Sequence, residues 1–223
     1  MIVTIGGIKG GSGKTTVATN LAVIRAREGH DVLLVDADDQ ETASDFTVLR
    51  NEQLPGGAGF TSIKLTGAAV RTETRRLGDK YSDIIIDTGG RDTASQRAAL
   101  TVSDVLLVPF VPRSFDVWTL EKVSQLIGEM RSANPDLAAY AFINRADPRG
   151  QDNGQAEEVI AEAPELTLIQ TSLGARKAFG NAAAQGMSVV ELKPQDAKAS
   201  EEILMLYRHL FDISLASRQP LEA

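Results

Sequence analysis

The 223-residue sequence predicts an α/β fold, a three-layer α/β/α sandwich around a mainly parallel sheet. Three observations predict it. Short unbroken apolar runs alternate with segments of helical period, as expected of strands buried on both faces and joined by crossover helices. A glycine-rich stretch, Gly6 to Thr16, joins the first apolar run to the first helical segment. Two later apolar runs end on Asp36 and Asp87, which delivers carboxylates to the strand ends where such sheets bind their ligands.

Each element follows in order. Ile2 to Ile5 reads as the first strand, and Val17, Leu21 and Ile24 recur at helical spacing until Gly29 stops the run. Asp31 to Asp36 is a buried strand that brings Asp36 and Asp38 to its carboxyl end. A short helix is expected over Thr42 to Arg50, a loop at Pro55-Gly56-Gly57, a minor strand over 60–65 and a basic helix over Ala68 to Leu77. Tyr81 to Asp87 is the next strand. Asp104 to Pro109 and Ala138 to Asn144 are further strands around a long helix, Phe115 to Met130. Leu166 to Gln170 reads as an edge strand and Arg176 to Gln185 as a small helix. Ser200 to Phe211 is an amphipathic helix with Ile203, Leu206, Tyr207 and Leu210 on one stripe. The reading gives one domain, 1–212, with 213–223 a frayed tail.

Composition narrows the function classes. A net charge of −7 argues against a surface built wholly for nucleic acid, although a local basic patch is compatible with it. With no cysteine there is no disulfide, thiolate metal site or cysteine-held iron–sulfur cluster. The first strand runs straight into the glycines without a basic leader, and no run approaches the ~18 apolar residues of a membrane span. These features predict a cytoplasmic chain with no membrane partner.

The glycine stretch carries the chemistry. Gly10, Gly11 and Gly13 let the backbone around Ser12 curl and point successive N–H groups inward, where the positive end of the next helix also points. Lys14 supplies a point charge for β- and γ-phosphates and Thr15 a hydroxyl suited to Mg²⁺, and Thr16 is counted with them among the nucleotide-binding residues. The bland alternative is a glycine turn with solvated lysines. The position between a strand and a helix favours the phosphate cradle.

The usual phosphate-loop pattern is broken, because Ile8 stands five residues before Gly13, leaving K-G-G-x-G-K-T. A second lysine, Lys9, directly before the glycines makes the stretch resemble the deviant Walker A ATPases, and within them the ParA/MinD group. Small ParA-type partition ATPases lacking an N-terminal DNA-binding extension are the nearest pattern, supported also by Pro109 to Trp118. The resemblance implies a P-loop NTPase of the deviant Walker A type that uses ATP and Mg²⁺. It further implies that Lys9 reaches the partner's phosphate across an ATP-sandwiched homodimer, in the manner of an arginine finger. Asp36 and Asp38 resemble the switch I pair, the first near Mg²⁺ and the second orienting the attacking water. Asp87 resembles the Walker B aspartate, and Gly90 would present a backbone N–H to the γ-phosphate.

The base is less sharply specified. Asp87-Thr88-Gly89-Gly90 fits the D-x-x-G form of GTPases, and Asn144-Arg145-Ala146-Asp147 sits near a guanine motif. ATP is assigned, with Asn144 as an adenine contact, and GTP kept as the alternative. Asp39 stands where ParA proteins usually carry proline, and Gly89-Gly90 replaces a proline-containing pair.

The resemblance further implies slow, adaptor-stimulated hydrolysis by a nucleoid-associated protein that binds DNA non-specifically. Such a protein moves plasmid, chromosome or protein cargo with an adaptor of ParB type or its equivalent. By analogy the DNA contacts are Arg176, Lys177, Lys193, Lys198 and Arg208, although interspersed glutamates make ordinary solvated charges a competing reading. The alternatives are a MinD-like membrane-cycling ATPase, for which the tail is short, carries one arginine and is broken by Pro220, and a metabolic synthetase of the same fold.

Overall fold

The computed structural model describes residues 1–112, 117–147 and 152–218. The strands are β1 (Ile2–Ile5), β2 (Val32–Ala37), β3 (Thr61–Lys64), β4 (Asp83–Thr88), β5 (Val105–Phe110), β6 (Ala138–Ala146), β7 (Thr167–Leu168) and β8 (Leu173–Gly174). They form one sheet in the order β3-β2-β4-β1-β5-β6-β7, with β8 also on β6, and every pairing is parallel. The helices are α1 (Lys14–Arg27), α2 (Thr42–Gln53), α3 (Ala68–Leu77), α4 (Ala94–Leu100), α5 (Val117–Arg131), α6 (Asp152–Ala161), α7 (Lys177–Ala183) and α8 (Ala197–Arg218). The expected three-layer sandwich is observed.

Alternation along the strands divides the core. Leu34, Ile85 and Leu107 face α1, α7 and α8, whereas Leu33, Ile84 and Ile86 face α3 and α4, and Leu106 and Val108 face α5. Because both faces are covered, β2, β4 and β5 are buried at every position, which is why they read as unbroken apolar runs.

Three elements have no counterpart in the sequence expectation. Helix α4 has only seven residues and β8 only two, too short for a period to show. Helix α6 carries Gly154 and buries Ala156 and Ile160 alone among its side chains, so its apolar stripe is thin. Helix α5 starts at Val117. The expected start at Phe115 lies outside the described residues, as does part of the Pro109 to Trp118 stretch. Helix α8 starts three residues before the expected Ser200 and continues to Arg218, past the expected boundary at 212, and 219–223 lie outside the description. Among the described residues no helix is long and apolar enough to cross a membrane.

Candidate functional site

Register brings the predicted residues to one edge. Asp36 of β2 and Ile5 of β1 both pair with Asp87 of β4, so the two aspartates lie side by side where the glycine loop leaves β1. A cleft of about 800 Å³ opens here, lined by Gly10, Gly11, Lys14, Thr15, Asp38 and Gly90 among others. Side chains built at Gly10 or Gly11 would meet nothing within 4 Å, so the loop encloses open space. Gly13 ends the loop with φ 90°, a conformation suited to glycine, immediately before the first turn of α1.

Lys14 is 6% exposed and donates from Nζ to the Lys9 carbonyl at 3.0 Å, so its ammonium lies inside the loop. Burial lowers its pKa, opposed by the nearby carboxylates of Asp87 and Asp38. Lys9 itself is half-buried and borders a neighbouring hollow with Ser12, Val108 and Phe110 instead of lining the cleft. Thr15 and Thr16 line the cleft from the first turn of α1.

The three aspartates behave differently. Asp36 is fully buried and engaged: one oxygen accepts from Ser44 N and Ser44 Oγ, each at 2.7 Å, and the other from Asp38 N at 3.2 Å. It ties the end of β2 to the start of α2. Asp38 is half-buried, lines the cleft and accepts from Gln40 N at 3.2 Å. Asp87 is fully buried, yet neither carboxylate oxygen has a hydrogen-bond partner. Burial pushes its pKa up to about 7; Asp36 and Asp38 add to the rise, while Thr15 and Lys14 oppose it. The Thr15 hydroxyl is near enough to favour the charge but falls outside hydrogen-bond geometry with either oxygen.

A buried carboxylate with two idle oxygens fits a cation brought in with a ligand. Among the described residues no three His, Cys, Asp or Glu side chains converge as a metal cage. A magnesium ion here would need phosphate oxygens and water to complete its shell, the usual arrangement for that ion. Asp87 and Thr15 are therefore the residues that fit it.

Gly90 is explained by contact. A Cβ there would lie 2.4 Å from Gly10 Cα and 2.6 Å from Gly10 N, so the segment after β4 lies directly on the glycine loop. Gly89 faces Asp38, whose Oδ1 would be 3.0 Å from an added Cβ. Asn144 is brought to the loop but is already occupied. Its Nδ2 donates to Ser12 O at 2.6 Å, its Oδ1 accepts from Arg145 N at 3.0 Å, and a side chain at Gly13 would collide with it. It braces the loop from β6.

Gln96 was missed in the sequence. It is 0% exposed on α4, and its Oε1 accepts from Gly7 N and from Thr88 Oγ1, both at 3.0 Å. It thus joins the start of the glycine loop to the end of β4. The available signal was Thr93-x-x-Gln96, a helix-start pattern; Thr93 does cap α4 by accepting from Gln96 N.

Of the basic residues assigned to DNA, Arg176 and Lys177 line a hollow that adjoins the cleft and shares Gly13, Thr16 and Arg145 with it. Lys177, Lys193, Lys198 and Arg208 are exposed. Arg176 instead is held bidentately by Glu202 at 2.9 and 2.5 Å, so its charge is locally neutralised.

The chain is similar to known proteins over nearly its whole length. It is 30% identical to the maintenance of carboxysome distribution protein A of Gloeobacter kilaueensis, covering 86% of this chain and 85% of that one. The protein of the same name from Halothiobacillus neapolitanus is 25% identical, over 89% and 91%. Among solved structures, the ATP complex of a McdA variant from Cyanothece superposes with a TM-score of 0.75 at 18% identity, covering 95% and 96%. The family model of the CobQ/CobB/MinD/ParA nucleotide binding domain matches residues 3–189, which span the glycine loop, Asp36, Asp87 and Asn144, and the chain belongs to that family.

Proposed function

We propose that this chain is a ParA-like ATPase that binds ATP with Mg²⁺, closes into a nucleotide-sandwiched homodimer and, in that state, holds DNA non-specifically. Slow hydrolysis, stimulated by an adaptor, would then release it, so that plasmid, chromosome or protein cargo is positioned on the nucleoid of the cytoplasm. One observation carries the reading: Asp87, buried with both oxygens unpartnered, sits at the foot of a glycine cradle whose Gly10 and Gly11 face open space. Similarity to carboxysome-distribution proteins over most of both chains supports the cargo-positioning class.

The residues divide the work by charge and position. Gly10, Gly11, Ser12 and Gly13 offer backbone N–H groups to the phosphates, and Lys14 turns from the Lys9 carbonyl to the β- and γ-oxygens. Thr15 and Asp87 hold Mg²⁺, which when bound neutralises charge developing on the phosphates. Asp36 acts on the ion indirectly, because its own oxygens are engaged by Ser44 and Asp38. Asp38 orients the attacking water, and Gly90 N–H meets the γ-phosphate. Lys9 acts on the partner's nucleotide. Asn144 contributes to adenine recognition from the wall it braces beside Gly13.

The test is a comparison of nucleotide states. Wild type should be retained on random-sequence DNA with ATP and Mg²⁺ but not with ADP, and retention should fall steeply with salt. Lys14→Ala should lose nucleotide binding, whereas Lys9→Ala should keep monomer binding and fail to dimerise. Equal losses of binding in both variants would remove Lys9 from a role in trans. A protein that stays monomeric with a saturating non-hydrolysable analogue and Mg²⁺ would overturn the reading as a whole.

A further inference from the structure

Two cations, Arg145 and Arg91, line the cleft at different places. Arg145, at the end of β6, is shared with a second hollow of about 490 Å³ that runs from Gly13 and Thr16 to Leu173 and Phe179. That hollow lies beside the first turn of α1, on the side of Asn144. Arg91 is absent from its wall. It lies instead with Asp38, Gly89 and Gly90, and borders a different hollow of about 300 Å³ formed with α5. If Arg145 marks the base end of a nucleotide lying along the glycine loop, Arg91 marks the end of its phosphate chain.

The surroundings of Arg91 leave its charge available. The nearest acidic neighbour in sequence, Asp92, is taken by Arg97, whose Nε and Nη2 donate to its two oxygens at 2.7 and 2.6 Å. Arg97 Nη1 goes to Glu129 at 2.8 Å. Arg91 is exposed and makes no hydrogen bond or ion pair among the described residues. Its backbone is nevertheless held close to the loop, because Gly90 rests on Gly10 and the next Cα is only about 3.8 Å along the chain. A guanidinium with five donors, tethered beside a phosphate cradle and engaged in no ion pair among the described residues although Asp38 and Asp39 line the same cleft, matches the geometry of a terminal phosphate.

We infer that Arg91 is a γ-phosphate contact that makes this chain prefer a nucleoside triphosphate over a diphosphate. The inference rests on the nucleotide reading above and assigns the triphosphate preference to a residue outside the glycine loop. It acts within one copy of the chain and does not require the dimer.

Dissociation constants for a fluorescent ADP and a fluorescent non-hydrolysable ATP analogue, with Mg²⁺, test it on wild type, Arg91→Ala, Arg91→Lys and Lys14→Ala at concentrations below dimer formation. Arg91→Ala should weaken the triphosphate by about tenfold or more, the worth of charge-assisted hydrogen bonds, and leave the diphosphate within about twofold. Arg91→Lys should recover part of the loss, since it keeps the charge and loses the fork. Equal weakening of both nucleotides, or an unchanged triphosphate preference, would overturn the assignment of Arg91 while leaving the nucleotide reading intact. Should wild type bind neither nucleotide, or Lys14→Ala bind both as wild type does, the nucleotide reading falls and takes this inference with it.

Discussion

Strand β4 carries a buried aspartate at each end, and the two are treated in opposite ways. Asp83 is 2% exposed and satisfied: Arg25 Nε donates to it at 2.6 Å, and the chain's N-terminal ammonium lies 3.3 Å away. Arg25 in turn donates to Tyr207 at 3.1 Å and lies 4.5 Å from the ring centre of Phe211, so this pair locks α1, β4 and α8 together. Asp87, four residues on, has no partner. The difference teaches which buried charge holds the fold and which is kept for a ligand: the first is matched by protein, the second only by something that binds.

Removing either carboxylate should separate these roles by sign. Asp83→Ala leaves Arg25 without its main partner and should lower unfolding free energy by about 3 kcal/mol in urea titrations. No change would mean that Tyr207 and Glu28, whose carboxylate lies 3.7 Å from Arg25 Nη1, suffice. Asp87→Asn should move stability the other way in the absence of nucleotide. The Asp87 pKa is raised from 3.8 to about 7, so between those values the native state keeps a proton that the unfolded state releases. Stability therefore falls as pH rises from about 4 to 7, and the whole penalty is present above 7. Asp87→Asn lacks that slope and should gain up to about 4 kcal/mol at pH 8, vanishing near pH 4, while losing the Mg²⁺ dependence of nucleotide binding. A variant destabilised at pH 8 would make Asp87 a structural residue like Asp83.

Smaller changes probe what surrounds Asp87. Gly90→Ala should force the segment after β4 off Gly10, costing about 1–3 kcal/mol in stability and weakening nucleotide binding more than Gly89→Ala, which meets only the Asp38 side chain. Gln96→Leu leaves Gly7 N without its acceptor and should cost about 1–2 kcal/mol. Its effect on nucleotide affinity should be the mildest of the set, since Gln96 lies behind the loop and not in the cleft.

The basic residues of the last third sharpen the same contrast. Arg176 is matched by Glu202 as Asp83 is matched by Arg25, whereas Lys177 next to it is exposed. If this surface holds DNA, Lys177→Ala should reduce both retention and its salt slope, and Arg176→Ala should act mainly through stability. DNA retention insensitive to Lys177, Lys193, Lys198 and Arg208 together would move the DNA surface elsewhere.

The sequence by itself determined the sheet, the glycine cradle and the carboxylates at its edge, because each is written in adjacent residues: an apolar run, three glycines before a lysine, an aspartate at a strand end. Short or thin elements such as α4 and α6 escaped, since two turns or two buried side chains leave no period to read. Only the tertiary structure decided which of those polar groups are occupied. Asn144 meets Ser12, Gln96 meets Gly7, Gly90 meets Gly10 and Arg25 meets Asp83 across separations of 58 to 132 residues, with strand order β4-β1-β5-β6 bringing them together. A residue's type announces what it can bind, but whether it is satisfied depends on neighbours that local sequence does not contain.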